Sequence, residues 1–360
     1  MSRWTIRGDL VALILLLAAI AAGFGFLSRE AAFAISEALI NYAPSDTYGR
    51  AFLVGLLNTL YVAALGIVFA TILGTLIGIA RLSSNWLVRK LALVYVEVFR
   101  NVPLLLQLLF WWAMFRELAP GPRQAWHILP GVFMSNRGLV FPVPLEDPVH
   151  GWVGLAFVIG IVAAIVFAKY ARRRQEATGQ QLPVAVVSLA LIVGLPAAVF
   201  LIGGAPVAMD WPELKGFNFS GGHAITPEFT ALLFGLTVYT ASFIAEIVRG
   251  GILAVSWGQS EAAMALGLRR SWVLRLVILP QALRVIIPPM TSQYLNLTKN
   301  SSLAVAIGYP DLVSIANTTL NQTGQAVEGI ALIMAVYLTF SLGISLFMNI
   351  YNRAVSLVER

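Results

Sequence analysis

The chain has 360 residues, of which 59% are hydrophobic and only 11% are charged. A soluble globular domain carries about 25% charged residues. This composition excludes a disordered chain, a nucleic-acid-binding module and an ordinary soluble enzyme, and it indicates a membrane protein with several spans. The apolar runs are long and unbroken, which predicts spanning helices, because a membrane barrel alternates apolar and polar residues over short segments.

Stretches without charged residues predict eight spanning helices. In chain order they are Leu10–Leu27, the segment between Arg50 and Arg81, Lys90–Arg116, Gly151–Ala168, Leu182–Leu201, Phe229–Val248, Val277–Leu297 and Glu328–Arg353. Three of these spans are interrupted by charged residues: the third by Glu97 and Arg100, the sixth by Glu246 and the seventh by Arg284. The first segment also fits a cleaved export signal, because basic residues precede it and Ala32-Phe33-Ala34 follows it with a small-x-small pattern. In the seventh segment, Pro280, Pro288 and Pro289 predict a bend or a break.

The loop charges predict the orientation of these helices. If the N-terminus faces the cytoplasm, the inner segments hold 16 of the 24 Lys and Arg residues and the outer segments hold 6. Basic residues prefer cytoplasmic loops, so the pattern predicts that both termini are cytoplasmic. The excess of basic residues in cytoplasmic loops also explains the net charge of +7 of the chain.

The connections predict how the chain is divided. Two long segments rich in proline or glycine flank the fourth and fifth spans, and this arrangement favours an inserted helical hairpin between outer loops. The predicted divisions are an N-terminal helix and outer loop (1–50), the first part of a core (51–115), the insert (116–228), the rest of the core (229–353) with a cytoplasmic loop (250–275), and a cytoplasmic tail (354–360).

That cytoplasmic loop predicts a short helix, a turn and a second helix. A capping-box pattern begins at Ser256, and Glu261–Leu266 are mostly strong helix formers. Gly267 is suited to end the helix, since glycine adopts the left-handed conformation without strain. Ser271 is then expected to cap the next helix, which runs up to Pro280.

The same loop resembles the Glu-Ala-Ala loop of ABC importer permeases, through Glu261-Ala262-Ala263, then Gly267, then Leu279-Pro280. The resemblance implies a coupling helix that docks in a groove of an ATPase subunit. The alternative is an ordinary amphipathic connecting loop. On the first interpretation, the residues that contact the ATPase are Ser260, Glu261, Ala262, Ala263, Leu266, Gly267, Arg269 and Arg270.

Four further segments are similar to polar amino-acid permeases: Glu97–Gln107, Ala245–Gly251, Leu279–Arg284 and Lys299–Leu303, with a departure at Val98. Together with the insert, they resemble the larger permease subunits of bacterial general L-amino-acid importers. The resemblance implies an all-α integral membrane fold. It would comprise a five-helix type I ABC importer core, an N-terminal helix and an inserted hairpin.

The resemblance also implies partners and a location. The partners would be a second permease in a heterodimer, two cytoplasmic ATPase subunits and a periplasmic amino-acid-binding protein, with membrane lipid around the spans of the bacterial inner membrane. No Gly-x4-Gly-Lys-Ser/Thr motif is present, so ATP and Mg would be bound by the partner ATPase and this chain would be no enzyme. No cofactor, metal or nucleic acid is expected.

Two other functions remain as alternatives. An ion-coupled secondary amino-acid transporter would need carboxylates near the middle of its spans, whereas Glu97 and Glu246 lie near one surface. A membrane subunit of an electron-transfer complex would need paired His ligands or Cys, but the histidines are scattered and cysteine is absent.

Polar residues within the spans are candidates for a substrate pathway or a gate, because a charge in the bilayer is costly unless it is paired or hydrated. Glu97 with Arg100, and Glu246 with Arg249, have i, i+3 spacing and could instead be neutralised structural pairs. Lys299 is expected towards the outer side, where it would attract a substrate carboxylate or pair with Asp311. The complete candidate set is Glu97, Arg100, Gln107, Glu246, Arg249, Thr298, Lys299, Asn300 and Ser301.

Overall fold

The computed structural model describes residues 23–355 of the chain. In chain order the helices are α1 (Tyr48–Ala80), α2 (Trp86–Asn101), α3 (Leu104–Ala113), α4 (Pro148–Thr178), α5 (Val184–Leu189), α6 (Leu195–Ile202), α7 (Pro227–Leu253), α8 (Trp257–Ala265), α9 (Arg270–Val273), α10 (Leu279–Asn300), α11 (Leu312–Thr323) and α12 (Ala326–Val355). They fall into two compact units. Of the described residues, one unit contains 23–119, Asn136–Gly138 and 226–355, and the other contains Pro120–Ser135 and Leu139–Ile225.

Within residues 23–355, six helices are long and apolar enough to cross a membrane, and a seventh span results if α2 and α3 are counted together. The predicted span Leu10–Leu27 lies mostly outside the described residues, and only Phe24–Ser28 of this region is seen, as a short 3-10 helix. The predicted number of eight is therefore approximate, while the multi-span helical architecture is confirmed.

The third predicted span, Lys90–Arg116, is wrong as a single straight helix. The two helices in this region, α2 and α3 with its π-helical extension to Leu118, meet at an angle of 104°. The cause is Pro103, which disfavours the helical conformation at the residue before it, and Val102 is extended with φ −94° and ψ 129°. The mostly apolar composition of Lys90–Arg116 fits a bent pair of helices as well as a single helix, so it did not indicate this bend.

The seventh predicted span is longer than expected and does not break at its prolines. A single long helical segment runs from Arg270 to Ile307. A π-helical turn, Leu274–Ile278, directly precedes Pro280, which occupies the first turn of α10. The wider turn leaves room for the proline ring, and Pro280 has no N–H to donate to the preceding turn. Pro288 and Pro289 lie inside α10 and do not end it.

The core of the first unit is formed where α1 and α7 lie side by side. Gly74 and Gly78 allow the close approach, because a Cβ atom added at either glycine would lie 2.7 Å from the facing helix. At the other end of the same pair, the ring of Tyr61 stacks on Phe229 with centroids 5.4 Å apart. Tyr61 and Phe229 come earlier in their helices than Gly78 and Ala245, which also face each other, so the two helices run in the same direction. Both of these helices and α10 contribute to one buried apolar cluster: Ala63, Ala70, Ala241, Ile244, Val248, Ala282, Ile286, Met290 and Leu297.

Helix α10 runs in the opposite direction to α1 and α7. Ile286 faces Gly251 near the end of α7, whereas Leu297, further along α10, faces Gly66 near the middle of α1. A hydrogen bond of 3.0 Å between Thr71 Oγ1 and Tyr294 Oη lies between these contacts. The relative directions of these helices agree with the predicted order of crossings.

The second unit contains two antiparallel helical segments and a set of short strands. Gly160 of α4 approaches the backbone of Leu191, and Val149 at the start of α4 faces Gly203 beyond the end of α6. The strands are β1 (Trp126–Leu129), β2 (Val132–Ser135), β3 (Gly138–Phe141), β4 (Val143–Pro144), β5 (Met209–Asp210), β6 (Glu213–Lys215), β7 (Asn218–Ser220) and β8 (His223–Ile225).

These strands form a four-stranded sheet in the order β1-β2-β3-β8 and two two-stranded pairs, β4-β5 and β6-β7. The pair β3-β8 is antiparallel, with Leu139 opposite Ile225 and Phe141 opposite His223. The sequence indicated loops here, because strands of two to four residues between prolines and glycines are too short to show an alternating pattern.

Candidate functional site

A short exposed helix, α8, follows the end of α7 and precedes the long helical segment that contains α10. Its end matches the prediction: Gly267 has a left-handed φ of +79°. The N–H of Gly267 donates to the carbonyl of Met264 at 2.9 Å, and the N–H of Leu268 donates to that of Ala263 at 3.3 Å. These two hydrogen bonds form a Schellman motif, which requires a residue that tolerates positive φ at Gly267.

The two predicted caps of this loop are wrong in their details. Ser256 is the N-cap residue of α8, but its side chain makes no capping hydrogen bond. The carbonyl of Ser256 accepts the N–H of Gln259 at 3.1 Å instead. The next helix is capped by the backbone of Arg269, whose carbonyl accepts the N–H of Trp272 at 2.9 Å, so Ser271 lies inside the first turn.

The surface of α8 is more apolar than the sequence indicated. Trp257 is 73% exposed and Leu266 is 82% exposed, and Met264 is also exposed. The Trp257 Nε1–H donates to Glu261 Oε1 at 2.7 Å, which holds the ring and the carboxylate together on the surface. Of the eight predicted contact residues, Ala263 is buried, while the others are exposed or half-buried. Trp257 and Met264 were missed, although large apolar residues in a polar loop are a usable signal.

A cluster of three charged side chains joins α1 to α7 at the same end of the bundle. The Glu246 carboxylate accepts a hydrogen bond from Arg249 Nη2 at 2.5 Å, which confirms the predicted pair. It also pairs with Arg81, which follows the end of α1. Sequence spacing could not indicate Arg81, because it is 165 positions away from Glu246.

The other predicted pair, Glu97 with Arg100, does not form among the ion pairs of the described residues. Asn101 Nδ2 donates to the Glu97 backbone carbonyl at 2.7 Å and to its carboxylate at 3.3 Å. The Arg100 guanidinium instead lies 5.1 Å from the ring centroid of Phe243 on α7. The helix ends at Asn101, so the Asn101 side chain folds back over the last turn and donates hydrogen bonds to Glu97 in place of Arg100.

Gln107 stabilises the bend between α2 and α3. Its side chain is buried, and Nε2 donates to the carbonyl oxygens of Phe99 and Val102, both at 2.9 Å. These carbonyls belong to the last turn of α2, where the bend removes their helical partners. This geometry gives Gln107 a structural role in positioning α3.

The predicted outer cluster lies at the far end of α10, opposite α8. Lys299 is exposed and is 20 positions beyond Leu279, which corresponds to about 30 Å along a helix. The buried hydroxyls beside it are satisfied locally: Thr298 Oγ1 donates to Tyr294 O at 2.9 Å, and Ser301 Oγ donates to Thr298 O at 2.7 Å. Asn300, the last residue of α10, is half-buried.

The predicted pairing of Lys299 with Asp311 is not observed. Asp311 is fully buried at the start of α11, where its Oδ1 accepts the N–H of Ser314 at 2.8 Å. Burial raises the pKa of the Asp311 carboxyl to about 7. The neighbouring backbone is held by α1, since Leu312 N donates to Thr59 Oγ1 at 3.0 Å. Lys299 therefore has no ion-pair partner within the described part of the chain.

Several apolar spans, an exposed short helix at one end of the bundle and, among the described residues, an unpaired lysine at the other define a multi-span membrane protein. The model of the family "binding-protein-dependent transport system inner membrane component" matches residues 66–357. The chain belongs to this family.

Similar proteins agree with this assignment. The chain is 55% identical to the general L-amino acid transport system permease protein AapQ of Rhizobium johnstonii, over 94% of this chain and 85% of that protein. It is 56% identical to the putative amino-acid ABC transporter permease protein YhdX of Escherichia coli, over 95% and 87% respectively. The crystal structure of an amino acid ABC transporter with histidines has the same fold, with a TM-score of 0.50, 21% identity and coverage of 85% of this chain and 95% of that one.

These findings confirm the resemblance to ABC importer permeases on which the sequence-based expectations of fold and function depended. They do not favour the ion-coupled transporter. They make the chain a membrane component of a transport system that depends on a binding protein.

Proposed function

We propose that this chain moves amino acids across the bacterial inner membrane by alternating access, driven by ATP that a separate ATPase subunit hydrolyses. ATP and Mg would bind to that subunit, and this chain would carry no cofactor of its own. The observation that carries the proposal is the exposed helix α8, which ends in a Schellman motif at one end of a bundle of apolar helices. Relatives named as amino-acid permeases support the choice of substrate class.

The docking surface of this proposal consists of α8 and the turn that follows it. Trp257 and Leu266 offer apolar area, and Glu261 and Arg269 add charges around it. Because α8 lies in the chain between α7 and α10, a displacement of the docked helix would be transmitted to both. The partners would be two ATPase subunits, one for this chain and one for a second, different permease, and a periplasmic amino-acid-binding protein.

The charged cluster at the same end is proposed as an inner gate. Glu246 of α7 is joined to the end of α1 through Arg81, while Arg249 of α7 shares the same carboxylate, so separating these helices requires the Arg81–Glu246 pair to open. Glu97 and Arg100 lie on α2 beside α7 and are proposed to line the same passage.

The substrate contact is proposed at the opposite end, at Lys299. An ammonium group without a partner among the described residues can bind a substrate carboxylate, and the half-buried Asn300 lies next to it. Thr298 and Ser301 are buried and would support the backbone at this site through their hydrogen bonds to carbonyl oxygens. Removing this contact with Lys299→Met is expected to weaken uptake by about 10–100-fold, at about 1.4 kcal/mol per tenfold.

The matched control is Lys215→Met, which removes an exposed lysine that faces Glu213 in the β6 strand. Uptake is measured against amino-acid concentration and normalised to the protein in the membrane. Equal normalised uptake for Lys299→Met and Lys215→Met would contradict a contact at Lys299 and would favour the second permease as the substrate-binding chain.

The proposed orientation, with both termini in the cytoplasm, is tested by labelling. The chain has no cysteine, so a single cysteine can be placed at Gln175, near the end of α4, or at Gly221, between β7 and β8. A membrane-impermeant thiol reagent added from the periplasm should label position 221 and not position 175. Labelling of both positions from that side would contradict the proposed orientation.

A further inference from the structure

A basic pocket of about 250 Å³ lies where α1 ends, α2 begins and α7 approaches its own end. Its lining residues are Arg81, Trp86, Arg89, Lys90, Leu93 and Arg249. Four of the six carry a positive charge, and none is acidic. A pocket with this lining is suited to an anion, because like charges held together are stabilised by a counter-charge between them.

The internal counter-charge is insufficient. Arg81 and Arg249 share a single carboxylate, that of Glu246. Arg89 and Lys90 are exposed, and within residues 23–355 neither makes an ion pair. The pocket therefore keeps a net positive charge and has hydrogen-bond donors that are available to a ligand.

The surroundings of the pocket indicate where that ligand comes from. Trp86 is 65% exposed and Leu91 is 62% exposed, and Leu87 is exposed beside them on the same helix. Tryptophan and apolar residues next to Arg and Lys are typical of a helix that lies at the membrane interface. The pocket is also at the ends of two spanning helices, α1 and α7, which is the depth of the lipid headgroups. A ligand there contacts hydrocarbon on one side and cations on the other.

We propose that this pocket binds the phosphate group of an anionic phospholipid, whose acyl chains lie along Trp86 and Leu93, the two apolar residues of the lining. Arg89 and Lys90 contact the phosphate, and Arg81 and Arg249 extend the positive surface behind it. Basic pockets between spanning helices are a known setting for anionic headgroups. The inference depends on the membrane-spanning arrangement of α1 and α7, and it is independent of the substrate and of the ATPase.

The test measures lipid binding to the full-length chain purified in detergent. Native mass spectrometry records the occupancy of added phosphatidylglycerol and, separately, of zwitterionic phosphatidylcholine. The double variant Arg89→Gln/Lys90→Gln is expected to bind phosphatidylglycerol about 30-fold more weakly, which corresponds to about 2 kcal/mol for two charges. Phosphatidylcholine binding should not change. The charge-retaining variant Arg89→Lys/Lys90→Arg should bind phosphatidylglycerol as the unchanged chain does.

The matched control is Arg172→Gln/Arg173→Gln, which removes the same net charge from the exposed end of α4. If this control loses as much phosphatidylglycerol binding as the Arg89/Lys90 variant, the effect is general electrostatic attraction and the pocket is excluded. Unchanged binding by the Arg89/Lys90 variant also overturns the proposal. Displacement of the lipid by millimolar inorganic phosphate would make this a site for free phosphate. Loss of a co-purified ATPase with unchanged lipid binding would make the surface a protein contact. Each of these two results contradicts the lipid assignment.

Discussion

Replacing Gly267 by alanine separates backbone geometry from side-chain contact in the coupling helix. Gly267 has φ +79°, and a Cβ atom added there would meet no atom within 4 Å. The substitution therefore introduces no clash, and its cost is the strain of an L-residue in the left-handed region, about 1–2 kcal/mol. This strain opposes the two hydrogen bonds that end α8.

The same helix provides a control with the opposite sign. Gly258 lies inside α8, and an added Cβ would again meet nothing within 4 Å. Its φ is not in the left-handed region, so Gly258→Ala should stabilise the helix by roughly 1 kcal/mol. Gly267→Asn should recover part of the loss, because asparagine tolerates the left-handed conformation better than alanine does.

The assay titrates the ATPase subunit against the assembled permease in lipid nanodiscs and measures the bound fraction and the stimulated ATP hydrolysis. If the ordered end of α8 is the form that docks, Gly267→Ala should weaken apparent ATPase binding by up to about 30-fold, with normal abundance in the membrane. Gly258→Ala should bind at least as well as the unchanged chain. Identical titration curves for the two alanine variants would refute the reasoning.

Three other substitutions test parts of the bundle. Glu246→Gln leaves Arg81 and Arg249 facing each other without a carboxylate, so thermal stability in detergent should fall by about 1–3 kcal/mol, and an unchanged melting curve would contradict the structural role of the cluster. The raised pKa of Asp311 means that the folded state holds a proton that the unfolded state releases above pH 3.8, so the melting temperature should decrease from about pH 4 to pH 7. Asp311→Asn should remove this slope, and a slope that persists would assign it to another group. Gly74→Val should prevent the close approach of α1 and α7 and lower the stability of the folded protein by about 1–3 kcal/mol, the usual penalty of overpacking. The loss is measured as reduced protein abundance in the membrane, and unchanged abundance would contradict it.

Features set by neighbouring residues were predictable from the sequence. The stop at Gly267 depends on local φ, and the Glu246–Arg249 pair depends on the spacing of one helical turn. The third member of that cluster, Arg81, comes from a different helix, and the packing of α1 on α7 brings it there. A local pattern contains no information about such a contact.

The bend before Pro103 shows a different limit. The sequence shows both Pro103 and the mostly apolar segment around it, but a mostly apolar segment is compatible with two bent helices as well as with one straight helix. The deciding contact is Gln107, which satisfies carbonyls at the end of α2 across the bend, and its partner atoms belong to the backbone. Glu97 and Arg100 were likewise assigned to each other because of their spacing, whereas Asn101 and Phe243 compete successfully for them.

The most direct test of the central claim is reconstitution of transport. The chain is placed in proteoliposomes with its second permease and ATPase subunits, and the amino-acid-loaded binding protein is added on the outside. Radiolabelled amino acid is expected to accumulate only when ATP is enclosed, and accumulation is expected to persist when ionophores dissipate every ion gradient. Accumulation without ATP, driven by an imposed proton or sodium gradient, would contradict ATP-driven import.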